Sequence, residues 1–165
     1  MRTSLLTSQR LRELLEYDRE TGVFVWKIDR GSIVSGSIAG MLDRRGYLLI
    51  TVDGHRYMSH RLAWLYVHDE WPAGDIDHKD TIKNHNWIAN LRPATNSQNQ
   101  QNTQLRSHNK SGFKGVYYYR RTGKWQAYIK KDGAQTHLGY FETAEAAHSA
   151  YVAAAKQYFG EYART

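Results

Sequence analysis

Two Asp-Gly pairs constrain this chain more than any other feature. Asp53-Gly54 stands between residues 47–52 and 55–58, and Asp132-Gly133 stands between 124–130 and 136–140. Asp-Gly suits the tight turns that join antiparallel strands, because both positions tolerate a backbone with positive φ. The flanking runs are short and carry aromatic and branched residues, so they read as strands of hairpins; 23–26 and 113–119 read the same way. In 124–130, Trp125, Ala127 and Ile129 alternate with Gln126, Tyr128 and Lys130, giving one apolar and one polar face. Glycines between 31 and 46 break that segment into loops and short strands. Elsewhere the apolar spacing turns helical. Residues 8–17 carry Leu11, Leu14 and Leu15, and 60–67 carry Leu62, Trp64, Leu65 and Tyr66. Thr143 opens an alanine-rich helix whose expected inward stripe is Ala147, Ala150, Tyr151, Ala154 and Tyr158. An α+β fold is expected.

The chain has 165 residues and no cysteine, which excludes disulfides, thiolate catalysis and cysteine-type zinc sites. The N-terminus lacks the apolar run of a signal peptide, and no stretch approaches the ~20 apolar residues of a membrane span. A cytoplasmic protein with no membrane partner is therefore expected, and no protein partner can be inferred. The formal charge is +7, which favours a polyanion. Between Gln100 and Lys131 the basic residues Arg106, Lys110, Lys114, Arg120, Arg121, Lys124, Lys130 and Lys131 are interrupted by no Asp or Glu. Tyr117, Tyr118, Tyr119, Trp125 and Tyr128 lie among them, the mixture of cations and rings expected of a nucleic-acid surface.

The segment 75–102 carries the chemistry. It reads as a short strand (75–78), a polar loop (79–86), a second strand (91–94) and a polar helix. Thr95 and Gln98 fit a capping box for that helix, which is expected to fray near Asn102. Asp77-His78, Asn90 and Asn99 are spaced across these pieces. A neutral imidazole takes a proton from water near neutral pH. A carboxylate and an amide oxygen are hard ligands suited to Mg²⁺. Neighbouring side chains on a strand point apart, so Asp77 and His78 share a site only where the strand ends or bulges. Taken singly, each of these residues is ordinary; their joint spacing is the signal. His60 is expected to pack or hydrogen-bond, and His85 to lie at the surface.

This segment, with the upstream HRLAW and the downstream NLRPATNSQNQQN, resembles the HNH or ββα-metal nucleases, most closely the homing branch found in phages and introns. The resemblance covers roughly residues 7–104. It implies His78 as general base, Asp77 and Asn99 as ligands of a divalent metal (Mg²⁺, with Mn²⁺ possible), and Asn90 as the residue that braces the loop and orients the histidine. An HNH nuclease domain over 1–104 follows, with a β-rich accessory part at 1–58, a ββα-metal core at 74–104 and a linker at 105–110. Phage origin in a bacterial host follows from the same resemblance. One departure stands out. The family often has glycine after the second acid of the loop, and here Thr81 follows Asp80, which would strain the turn. A non-catalytic DNA-binding regulator with a degenerate nuclease segment is the alternative.

Residues 111–165 resemble the DNA-binding domain of plant ethylene-response factors through SGFKGVYY, GKWQAYI, HLGYFETAEAAHSAY and YFGEYA. That likeness implies a three-stranded antiparallel sheet packed on one helix, with the sheet in the major groove of double-stranded DNA. The outward positions are then Lys114, Tyr117, Tyr119, Arg121, Tyr128, Lys130, Gln135 and His137, with Arg120 and Lys124 beside them. Tyrosine and lysine stand where the plant domains place many arginines and tryptophans, which favours phosphate and sugar contacts over guanine reading.

Overall fold

Thr7 starts the first helix: its hydroxyl accepts the Arg10 backbone N–H at 3.1 Å, and α1 runs Ser8–Leu14. The computed structural model describes residues 6–102, 105 and 109–163. The helix expected over 8–17 stops early, because Leu15–Tyr17 form a strand, β1, antiparallel to β2 (Phe24–Trp26). Leu15 and Tyr17 are buried with Glu16 outside, a period-two pattern that pairing with β2 satisfies better than a further helical turn.

The sheet β3 (Met41–Leu42), β4 (Leu48–Val52) and β5 (His55–Met58) follows, in that spatial order. Asp53 and Gly54 close the β4–β5 hairpin with φ of 47° and 81°, as the dipeptide predicts. Met58 leads directly into α2 (Ser59–His68), which ends where Asp69 turns left-handed at φ 62°. β6 (Asp75–His78) pairs with β7 (Leu91–Ala94), and a single 3-10 turn at Ile88–Asn90 feeds the second strand. Leu11, Leu14, Leu15, Phe24, Ile50, Val52, Leu62 and Leu65 form the centre of one apolar core.

The chain divides into two compact units, 1–93 and 94–165. The short helix α3 (Asn96–Gln101), expected to complete the nuclease domain, falls in the second unit, where Ser97 Oγ accepts the Asp132 N–H at 3.1 Å. Its start is the expected capping box, with Gln98 N to Thr95 Oγ1 at 3.2 Å and Thr95 N to Gln98 Oε1 at 2.8 Å. Of the linker expected at 105–110, residues 106–108 lie outside the described residues.

In the second unit β8 (Val116–Tyr119), β9 (Lys124–Lys131) and β10 (Ala134–Phe141) form an antiparallel sheet with β9 central. α4 (Ala144–Phe159), capped by Thr143, covers one face. Its buried stripe is Ala144, Ala147, Tyr151, Ala155 and Phe159. Tyr158, expected to point inward, is 37% exposed. The aromatic that closes the core is the next residue, Phe159, which has no hydroxyl to solvate. Gly115 lies where Tyr151 crosses the sheet: a Cβ there would stand 2.4 Å from the Tyr151 ring, and its φ is +72°. Among the described residues no helix is long and apolar enough to cross a membrane.

Candidate functional site

The loop from β6 to β7 is shaped by Asn90. Its Nδ2 donates to Asp80 Oδ1 at 3.0 Å and to His85 O at 2.8 Å, while its Oδ1 accepts the Asp80 N–H at 3.1 Å. Asp80 adds an accepted bond from Ile82 N and a 2.6 Å contact with His85 Nδ1. These bonds tie Asn90 to both ends of the loop, and the amide of Asn86 meets the imidazole. His78 Nε2 lies 3.0 Å from Asn86 Oδ1, both residues buried. With the carbonyl oxygen of Asn86 as acceptor, Nε2 carries the proton and Nδ1 is the basic nitrogen. Sequence reasoning missed Asn86 because asparagine in a polar loop is an ordinary turn former. Its only distinguishing sign is near-complete burial, 1% exposed, which no sequence pattern states.

The backbone of Asn86 is itself clamped from the N-terminal segment. Tyr17 Oη donates to Asn86 O at 2.7 Å, and Ile88 N donates to Arg19 O at 3.2 Å. Gly22 (φ +75°) packs so closely that a Cβ would stand 2.3 Å from Asn86 C and Trp87 N. The strand β1 and the turn that follows it therefore act as a roof for the loop.

Two further rings surround the base. His60 meets His78 edge-on with centroids 5.1 Å apart, and Tyr47 lies 5.6 Å from His60 and 6.3 Å from His78. Burial pushes the His60 imidazole down to about 3, helped by His78 and Arg61. Burial also lowers His78, against the opposing pull of Asn86, Asp80 and Asp77. A neutral His78 at physiological pH is the result, the state a proton acceptor requires. His60 is a packing residue, as expected. His85, expected at the surface, is half-exposed, paired to Asp80 and tilted 4.6 Å from the Trp87 ring.

Asp77 is held on the other strand's side. Arg92 of β7 donates from Nε and Nη2 to Asp77 Oδ2, both at 2.9 Å, with the two side chains 10% and 5% exposed. Removing either partner would strand a buried charge. Asn99 lies half-buried on α3 in the second unit, its backbone N–H donating to Thr95 O at 2.9 Å. Among the described residues no group of three or more His, Asp or Glu is placed to hold a metal ion. The donor chemistry still fits a hard divalent cation. A carboxylate oxygen is a hard ligand, and Mg²⁺ keeps several waters and substrate phosphates in its shell. Thr81, the departure noted above, adopts φ +69°, a left-handed conformation that a β-branched residue rarely takes.

In the second unit the sheet face opposite α4 is a row of rings. Tyr117 neighbours Tyr128 (6.4 Å between centroids), Tyr128 neighbours His137 (4.8 Å), His137 neighbours Tyr140 (4.8 Å), and Tyr140 neighbours Tyr119 (6.0 Å). Tyr140 belongs to this face because the register slips between His137 and Gly139, so Tyr140 and not Gly139 pairs with Gln126. Strict alternation had hidden it. Arg120, Arg121, Lys130 and Gln135 are exposed around the rings, and Lys114 is half-exposed. Lys124 pairs with Glu142 at 2.7 Å.

Residues 57–101 match the HNH endonuclease family. Fifty residues, 30% of this chain, are 48% identical to the AP2-like ethylene-responsive transcription factor TOE2 of Arabidopsis thaliana, of which they cover 10%. The same identity over 50 residues holds for APETALA2-like protein 2 of Oryza sativa, subspecies indica and japonica, covering 12% of each. The chain thus spans about a tenth of these relatives. No solved structure matches it significantly. The molecule joins a segment similar to HNH endonucleases to one similar to AP2-type plant transcription factors.

Proposed function

We propose that this chain is a metal-dependent endonuclease of the homing type that hydrolyses phosphodiester bonds of double-stranded DNA, positioned by its C-terminal sheet. The observation that carries the reading is the buried Asn86–His78 hydrogen bond within the segment similar to HNH endonucleases. It orients the imidazole, and burial keeps it neutral. In this reading His78 Nδ1 takes the proton of the attacking water, and the product carries a 5′-phosphate and a 3′-hydroxyl. Asp77 and, by the resemblance alone, Asn99 would hold Mg²⁺ within a ββα-metal core; the cation would supply positive charge for the phosphorane and the leaving oxygen. Arg92 holds the Asp77 carboxylate in place, and Asn90 keeps the loop folded beneath the substrate. Tyr117, Tyr119, Tyr128, His137 and the surrounding cations Lys114, Arg120, Arg121, Lys124 and Lys130 would lie against the duplex.

Purified protein with supercoiled plasmid should nick it in Mg²⁺ and not in chelator. His78→Ala should abolish cleavage while retarding DNA as the parent does; a His78→Ala protein that cuts as well as the parent refutes the assignment. A second reading, a DNA-binding regulator without catalysis, draws on the left-handed Thr81 and on the Arg92 grip on Asp77. It would show retarded DNA and no nicking at any Mg²⁺ or Mn²⁺ concentration.

A further inference from the structure

The turn between β3 and β4 carries cations that the reading above leaves unused. Asp43 builds that turn: Oδ1 accepts the backbone N–H groups of Arg45 at 2.8 Å and Tyr47 at 2.9 Å, and Oδ2 takes Arg45 Nε at 3.2 Å. The Asp43 side chain is 15% exposed and that of Arg45 67%, so the guanidinium faces solvent far more than the carboxylate does. Lys83 arrives from the loop after β6. Its Nζ donates to Arg45 O at 3.0 Å and lies 5.0 Å from the centroid of the Tyr47 ring, while the Arg45 guanidinium lies 5.7 Å from the same ring. That ring is also the one that neighbours His60 and His78.

Two cations thus share one aromatic seat, and the candidate base is that seat's neighbour. Seating on a ring orients a long side chain before any ligand arrives and reduces the ordering lost on binding. Asp75, exposed, also acts electrostatically on Tyr47. Arg44, Arg45 and Lys83 together still leave a positive surplus over Asp43 and Asp75. Such a surface recognises repeated phosphates, which need charge and no base-specific geometry.

We propose that Arg45 and Lys83, seated on Tyr47, hold two backbone phosphates of the DNA strand that is cut at His78, so that the N-terminal unit grips DNA independently of the C-terminal sheet. The identity of that strand rests on the nuclease reading; the phosphate contacts do not.

The test uses the full chain in chelator, where no cutting is needed, and duplex DNA over a range of salt. Each phosphate contact contributes about 0.9 to the slope of log affinity against log salt. Arg45→Gln/Lys83→Gln should therefore flatten the slope by about 1.8. Between 50 and 200 mM salt the parent should lose about twelvefold more affinity than the variant. Arg45→Lys and Lys83→Arg should keep the parental slope, and Lys83→Gln alone, which leaves the Asp43 turn intact, should flatten it by about 0.9. A parental slope in the folded glutamine variants overturns the proposal. A flattened slope in a protein that never nicks plasmid would sink the nuclease reading and leave the phosphate contacts standing.

Discussion

Acidifying the protein from pH 6.5 to 4.5 should remove roughly 2 kcal/mol of stability through His60 alone, the slope approaching about 1.4 kcal/mol for each pH unit at the acid end. The residue is 7% exposed, and burial, with His78 and Arg61, pushes its imidazole down to about 3. In the unfolded chain the same ring binds its proton near about 6.5. Between those values the unfolded state holds a proton that the native state refuses. Stability therefore rises with pH across the window and falls on acidification. His78, lowered in the same direction, adds to the slope. The carboxylates of Asp18, Asp43, Asp53, Asp69 and Asp80 are lowered instead, and their contribution is lost only as the pH falls below about 4. The window above pH 4.5 consequently reads the histidines. Urea unfolding followed by tryptophan fluorescence suits the purpose, since Trp26, Trp64, Trp71 and Trp87 all lie in the first unit. His60→Phe keeps a ring against Tyr47 and His78 while removing the titration. Its pH slope should fall by more than about 1 kcal/mol per unit. Equal slopes in parent and variant, or a parent whose stability is flat across the window, would refute the reasoning.

Asn86→Ala should lower plasmid nicking about 10–100-fold, the scale on which residues that orient a reactive group act, and destabilise the first unit by about 1–3 kcal/mol by leaving a buried imidazole N–H without its acceptor. Full activity in that variant would show that the tautomer is fixed elsewhere. Thr81→Gly relieves a left-handed threonine, worth about 1–3 kcal/mol, and costs about 0.5–1 kcal/mol of added freedom in the unfolded chain. The net gain should raise the first unit's melting temperature by a few degrees on calorimetry, and a lower melting point would mean that the threonine side chain contributes more than its backbone costs.

What the sequence revealed was whatever local chemistry decides. The Asp53-Gly54 turn, the Thr95–Gln98 capping box and the Thr143 cap each depend on residues within a few positions of one another, and each was legible. The early end of α1 was not, because Leu15 and Tyr17 satisfy a helical and a strand period alike, and only their pairing with Trp26 and Phe24 decides between them. Ala147, Tyr151, Ala154 and Tyr158 make as good a helical stripe as Ala147, Tyr151, Ala155 and Phe159; the rotation of α4 on its sheet selects the second. At the candidate site Asp77, His78, Asn90 and Asn99 stood out by spacing. Asn86 did not, since its role comes from being buried beneath residues far away in the chain. Tyr140 was hidden by a one-residue slip that a period-two reading cannot carry across.

The glycine pressed against Asn86 and Trp87 has an evolutionary corollary. The stretch similar to HNH endonucleases begins at residue 57, yet the ceiling over its key amide comes from Tyr17 to Gly22. Recombination that transplanted only the recognisable stretch into a new gene would deliver the reactive side chains without the lid that shapes them. The smallest piece able to move between genes with its loop intact is accordingly the whole first unit, its N-terminal strands included.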